Sequence, residues 1–127
     1  MTQTIVIKRK IKDFNKRINI SGDKSLSIRW VLFASLASGV SKSKHLLMSE
    51  DVLAAINAIK KLGIKVKFNN DVCEISGMGI DGYKYRKNLT INAENSGTLG
   101  RLILGLLINT PYPCLLYTSD AADERSC

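Results

Sequence analysis

Several things are scarce in this sequence, and each scarcity excludes something. The three cysteines, Cys73, Cys114 and Cys127, have no metal-ligand spacing, and their odd number argues against a disulfide framework; free thiols are expected. The lone histidine, His45, has no cysteine, histidine or carboxylate at ligand spacing, so it reads as structural and no metal site is expected. Aromatic residues make up 6% of the chain and no nucleic-acid reader motif is visible, so the net charge of +8 does not by itself point to nucleic acid. No apolar run reaches the roughly 18 residues of a membrane helix. The opening, Met1-Thr2-Gln3-Thr4-Ile5-Val6-Ile7, lacks a secretory n-region and h-region, so a cytoplasmic location is expected. The G-x-x-x-x-G-K-[ST] spacing of a phosphate-binding P-loop is missing.

What is present suits a packed core. Hydrophobic residues are 45% and charged residues 24% of 127, which fits one small domain or part of a larger one. The cations are dispersed. Lys8-Arg9-Lys10 is the densest run and reads as a solvated strand end. Positive potential of this kind also favours an enzyme of anionic metabolites.

The stretch that organises the chain is Ser21-Gly22-Asp23-Lys24-Ser25-Leu26-Ser27-Ile28-Arg29. An alternating strand, 17–20, precedes it and an apolar run of helical spacing, 26–37, overlaps it. Gly22 permits a tight turn, and Asp23 or Ser25 can cap the helix. Ser25 and Arg29 share one face of the first turns, with Lys24 beside them. Backbone N–H groups, a hydroxyl and two cations then converge, which describes an anion site; the plainer alternative is an ordinary cap with solvated charge.

The remaining elements follow in order. Residues 5–7 read as an opening strand. The first helix is expected to bury Leu26, Trp30, Phe33 and Ala37, with Leu36 beside them, and to end at Gly39. Residues 41–48 read as an extended segment. Ser49 caps a second helix with Val52, Leu53, Ile56, Ile59 and Leu62 inward and Gly63 as its stop; Glu50 and Asp51 are explained there as dipole-favoured first-turn residues. Residues 64–68 and 72–76 form a hairpin across Asn69-Asn70-Asp71. The glycine-rich loop 77–82 follows a hairpin and opens no helix, so it is not a dinucleotide motif. Residues 89–93 form a strand leading through Glu94-Asn95-Ser96-Gly97-Thr98 to Arg101 and an apolar helix, 102–108. This repeats the opening arrangement. Arg29 and Arg101 stand 72 residues apart, a period that implies repeated supersecondary units.

Three motifs in this order carry a family resemblance: Gly22-Asp23-Lys24-Ser25-Leu26-Ser27-Ile28-Arg29, Leu46-Leu47-Met48-Ser49-Glu50-Asp51-Val52, and Asn95-Ser96-Gly97-Thr98 with Arg101. Over residues 3–113 the chain resembles the N-terminal part of the 5-enolpyruvylshikimate-3-phosphate synthases, the 3-phosphoshikimate 1-carboxyvinyltransferases. The resemblance implies an α/β fold, part of a domain of repeated α/β units with inner helices and outer sheets arranged as an inside-out barrel. It implies transfer of the enolpyruvyl group of phosphoenolpyruvate to the 5-hydroxyl of shikimate 3-phosphate with release of phosphate, in aromatic amino-acid biosynthesis. It implies no cofactor, no metal, no nucleic-acid or membrane partner, and a monomer at full length. Lys24 would touch both substrates and act in catalysis. Ser25 and Arg29 would hold shikimate 3-phosphate. Gly97 would line the phosphoenolpyruvate pocket, supported by Asn95 and Arg101. Ser21, Ile28, Trp30 and Leu99-Gly100-Arg101-Leu102 depart from the family's usual residues.

After Pro113 the family pattern stops. Residues 114–124 resemble an in-frame translation of a sequencing-library adapter. The expected organisation is therefore a partial enolpyruvyl transferase domain of about one and a half repeat units over 1–113, and a non-native, dispensable tail over 114–127. Such a fragment is expected to be inactive. Three alternatives are a non-catalytic α/β module that binds a phosphorylated ligand, a protein like UDP-N-acetylglucosamine enolpyruvyl transferase, and a charge-driven nucleic-acid binder.

Overall fold

The structure, a computed structural model, describes residues 3–118 and 125–126. Its elements run α1 (Lys24–Leu36), β1 (Ser38–Lys44), α2 (Glu50–Lys61), β2 (Lys65–Asn69), β3 (Val72–Met78), β4 (Leu89–Asn92), α3 (Gly97–Leu107), β5 (Cys114–Tyr117) and β6 (Arg125–Ser126).

The hairpin expected from alternation forms β2 and β3, paired antiparallel from Lys65↔Ser76 to Asn69↔Val72, with Asn70 at φ 51° in the turn. β1 pairs along the other side of β3, giving the order β1-β3-β2. The second sheet has the order β4-β5-β6, with β4 and β5 parallel. The outer strands β1 and β2 expose most of their residues, whereas β3 turns Cys73 and Ile75 into the core. Helix α2 is the inner element. It packs on α1 and α3 and against β2 and β4, and its small residues Ala54, Ala55 and Ala58 let those neighbours come close. Helices inside and sheets outside is the arrangement expected. At one sheet edge, Lys61 of α2 donates from Nζ to the Thr90 carbonyl of β4 at 2.9 Å.

Four expectations need correction. The strands read at 5–7 and 17–20 do not form: residues 3–23 carry no regular secondary structure, and Ile5, Ile7, Ile18 and Ile20 are exposed. Alternation marks which face a strand would bury; the strand exists only where backbone N–H and C=O groups meet a neighbour. Helix α1 does not bury the expected stripe. Leu26 and Phe33 are about two-thirds exposed, and Ser27, Ile28, Val31, Leu32, Ala34 and Ser35 are buried instead. Two neighbours, α2 and β3, press on α1, so its inner surface is wider than one stripe and admits two serines. Those serines are satisfied. Ser27 Oγ accepts from Leu47 N at 3.2 Å. Ser35 Oγ donates to the Leu32 carbonyl at 2.6 Å, which leaves it to accept from the Tyr83 hydroxyl at 2.7 Å. Burial pushes the Tyr83 hydroxyl above its ordinary range, and the Ser35 contact opposes that shift.

The third correction is Gly39. It lies inside β1 at φ 111°, while α1 is closed by Ala37 N donating to the Phe33 carbonyl at 3.1 Å. The fourth concerns the tail. Expected to lie outside the fold, its first residues form β5, which buries Cys114 and Leu116 and pairs with β4 from Leu89↔Cys114 to Asn92↔Tyr117. An alternating Cys-Leu-Leu-Tyr segment meets the needs of that position whatever its origin. Residues 119–124 and the Cys127 thiol lie outside the described residues. Cys73 and Cys114 are both buried. Desolvation pushes the Cys73 thiol up, with Lys60 pulling the other way.

Candidate functional site

Helices α1 and α3 start in the same way. The Asp23 carboxylate Oδ1 accepts from Leu26 N at 2.7 Å, and Ser96 Oγ accepts from Leu99 N at 3.1 Å, three residues on in both cases. The cap of α1 is thus Asp23 and not Ser25, so the half-buried Ser25 hydroxyl is not consumed in capping. Gly22, just outside α1, is not at positive φ. It is required by proximity: a Cβ there would lie 2.6 Å from the His45 carbonyl oxygen and 3.2 Å from Leu47 N. The start of α1 is therefore seated directly on the segment leading to α2.

On this platform Lys24 is the first residue of α1, and Arg29 stands more than a turn further on. Arg29 Nη1 donates to the Ser25 carbonyl at 3.2 Å, which draws the guanidinium back toward the helix start. Lys24 Nζ lies 3.0 Å from Asp51 Oδ2 in the first turn of α2. No acidic residue lies within the first turn of α1, so Lys24 and Arg29 add to the positive helix end, against which stand the Asp23 carboxylate at the cap and Asp51 beside Lys24.

At α3, Glu94 at φ 49° and a mutual clasp with Asn92 reverse the chain out of β4: Asn92 Nδ2 donates to Glu94 Oε1 at 2.6 Å, and Glu94 N donates to Asn92 Oδ1 at 2.8 Å. Asn95 accepts from Gly97 N at 3.2 Å through its carbonyl. Asn95, Gly97 and Arg101 are all exposed. A Cβ at Gly97 would meet only Arg101 Nη2, at 3.8 Å, so its empty side faces open space beside a guanidinium.

The six residues expected from sequence thus form two groups, Lys24, Ser25 and Arg29 on α1 and Asn95, Gly97 and Arg101 at α3. The start of α2 lies between them: Asp51 pairs with Lys24, and Glu50 shares with Asn95 an open cleft of about 740 Å³. Of the six, only Asn95 lines that cleft, which runs along α2 past Lys60 and Lys61 rather than over the start of α1. The Ser49 hydroxyl, expected to cap α2, makes no cap bond; it is buried without a partner. His45 sits at φ 56° in the turn after β1, and no cluster of ligating side chains surrounds it among the described residues. Sequence reasoning assigned Asp51 to the helix dipole alone. Its pairing with a residue 27 positions earlier leaves no local signal.

A family model described as EPSP synthase (3-phosphoshikimate 1-carboxyvinyltransferase) matches residues 8–125. The chain is 35% identical over 119 residues to the 3-phosphoshikimate 1-carboxyvinyltransferase of Streptococcus suis (strain 98HAH33), covering 94% of this chain and 28% of that protein. It is 38% identical over 117 residues to the protein of the same name from Bacillus cytotoxicus, covering 92% and 27% respectively. A solved structure of EPSP synthase from Acinetobacter baumannii superposes with a TM-score of 0.76 at 28% identity, over 85% of this chain and 24% of that one. The chain spans just over a quarter of the length of the curated relatives it matches. No helix among the described residues is long and apolar enough to cross a membrane.

Proposed function

The chain belongs to the EPSP synthase family, and from that premise we propose that it supplies one wall of a site where the enolpyruvyl group of phosphoenolpyruvate passes to the 5-hydroxyl of shikimate 3-phosphate, releasing phosphate. The observation that carries this reading is the start of α1. There Lys24, Ser25 and Arg29 stand within two turns, the cap is provided by Asp23, and the Arg29 side chain folds back toward Ser25. A phosphate there meets two cations, a hydroxyl and the positive end of a helix. In this reading Lys24 meets both substrates, Ser25 and Arg29 hold shikimate 3-phosphate, and Gly97, with Asn95 and Arg101, borders phosphoenolpyruvate. The reaction needs no metal or organic cofactor, and the full-length enzyme is a monomer that binds no nucleic acid.

The reading extends to the chain's organisation. Residues 1–113 are a partial transferase domain and 114–127 an appended sequence, of which the first four residues occupy a strand position. The site is one-sided. A transition state that develops charge needs preorganised groups around it, so this 127-residue chain binds substrate without turning it over. Release of phosphate above the uncatalysed rate from the two substrates and the purified chain would refute that statement.

The binding test is titration of shikimate 3-phosphate into isotope-labelled chain, followed by the amide resonances of residues 24–29. Charge-assisted hydrogen bonds contribute about 1.5–3 kcal/mol, so Lys24→Ala or Arg29→Ala weakens binding by about tenfold to a hundredfold. Arg29→Lys is not conservative, because the planar fork is lost. Absence of saturable binding, or binding untouched by Lys24→Ala, would make this stretch an ordinary helix start.

A further inference from the structure

We propose that Asp51 is a positioning residue for Lys24. The inference rests on the reading above, in which Lys24 receives a substrate anion, and adds a residue that acts through it. Lys24 is a long, flexible side chain, 55% exposed, at the first position of α1. A cation there opposes the helix dipole, and no acid within the first turn of α1 restrains it, the Asp23 carboxylate at the cap being engaged by Leu26 N. Asp51 differs on each count. Its side chain is only 17% exposed, it sits in the first turn of α2 where the dipole favours a carboxylate, and α2 is the innermost helix. The 3.0 Å contact therefore ties a mobile group to a fixed one.

An ion pair this open to solvent contributes little to stability. Its consequence is directional. An ammonium has three N–H donors. With one given to Asp51 Oδ2, the other two are aimed away from α2, and the charge is kept beside Ser25 instead of sweeping through solvent. A carboxylate placed near an anion site on electrostatic grounds alone would weaken anion binding. Asp51 strengthens it, because the order imposed on Lys24 outweighs the added repulsion.

Shikimate 3-phosphate binding to the 127-residue chain decides the matter through a double-mutant cycle, with circular dichroism and thermal melting to verify folding. Asp51→Asn, which keeps the shape and removes the charge, should raise Kd by about tenfold, the scale of coupling between residues in contact. Asp51→Glu, which keeps the charge, should recover most of the loss. In the Lys24→Ala background, Asp51→Asn should have no further effect or should tighten binding slightly. Unchanged or tighter binding in Asp51→Asn with Lys24 present would overturn the proposal, and so would a loss of equal size in both backgrounds. The site reading fails differently: if Lys24→Ala binds like the parent, or the parent does not bind, Lys24 is not an anion ligand and the role of Asp51 falls with it. If Lys24→Ala weakens binding and Asp51→Asn does not, the site stands and only the positioning role is lost.

Discussion

Replacing Gly22 with alanine tests how the start of α1 is held. A glycine just outside a helix can often become alanine with a gain of about 0.4–1 kcal/mol, because the unfolded chain loses freedom. Here the backbone of a neighbouring segment forbids it. The new Cβ would stand 2.6 Å from the His45 carbonyl oxygen, about 0.8 Å inside the 3.4 Å at which ordinary contact begins, and 3.2 Å from Leu47 N. Neither obstacle is a flexible side-chain end, so the two segments must part. Overpacking of this kind costs about 1–3 kcal/mol. Parting them also breaks the bond from Leu47 N to Ser27 Oγ, whose residue is only 6% exposed, and a buried group left unpaired costs about 1–3 kcal/mol more. The expected total, about 2–6 kcal/mol by adding the two ranges, is a large share of the 5–15 kcal/mol typical of a domain. With a urea slope of about 2 kcal/mol per molar and a cost near the middle of that range, the unfolding midpoint should fall by about 2 M. Urea titration followed by circular dichroism and by Trp30 fluorescence gives the number. A midpoint equal to or above the parent's would refute the reasoning, because α1 could then be lifted off residues 45–47 without cost.

Gly97→Ala should behave oppositely: its Cβ meets nothing nearer than Arg101 Nη2 at 3.8 Å, so stability should hold within about 0.5 kcal/mol or rise. A clear loss of stability in Gly97→Ala would contradict the open space described there. Stability should be full below about pH 9 and decline above it, because the buried Cys73 thiol and Tyr83 hydroxyl are both pushed above their ordinary values of 9.0 and 10.0, and the unfolded chain therefore ionises first. Each group can contribute a slope of at most about 1.4 kcal/mol per pH unit, and a flat stability profile from pH 8 to 11 would contradict both burials. Truncation after Pro113 uncovers Ile91 and removes Leu116, both essentially buried, and should cost about 2–5 kcal/mol; melting within a degree or two of the parent would mean that β5 contributes nothing to packing.

What could be read from sequence was what local periodicity and turn chemistry encode. The β2–β3 hairpin was legible because Lys65-Val66-Lys67-Phe68 alternates up to an Asn-Asn-Asp turn. Helix α2 was legible because Ser49, Glu50 and Asp51 mark its start and Gly63 its end. Helix α1 was legible in extent but not in orientation. It is apolar on most sides, and which side faces inward depends on α2 and β3, which lie later in the chain. The isoleucines at 5, 7, 18 and 20 alternate well enough, yet pairing is a property of two segments and one cannot report it. The candidate site divides along the same line. Lys24, Ser25 and Arg29 were marked by helical spacing within one turn and a half, whereas the Lys24–Asp51 pair and the contact of Gly22 with His45 arise only when α1 is laid beside the start of α2.

The two sheets present unequal risks in concentrated solution. In β1-β3-β2 both outer strands carry lysines, Lys44 on one, beside a Lys42 that is paired with Glu74, and Lys65 and Lys67 on the other, and like charges deter a second molecule from adding a strand there. The β4 strand, Leu-Thr-Ile-Asn, has no charge of its own and is an edge of its sheet among the described residues. Its guard comes from another element, through the Lys61 ammonium on the Thr90 carbonyl. Colloidal behaviour at that edge therefore depends on one side chain. Acetylating Lys61 or exchanging it for methionine removes that hydrogen bond and the charge together, so self-association through the β4 edge should rise, which light scattering of the variant against the parent checks.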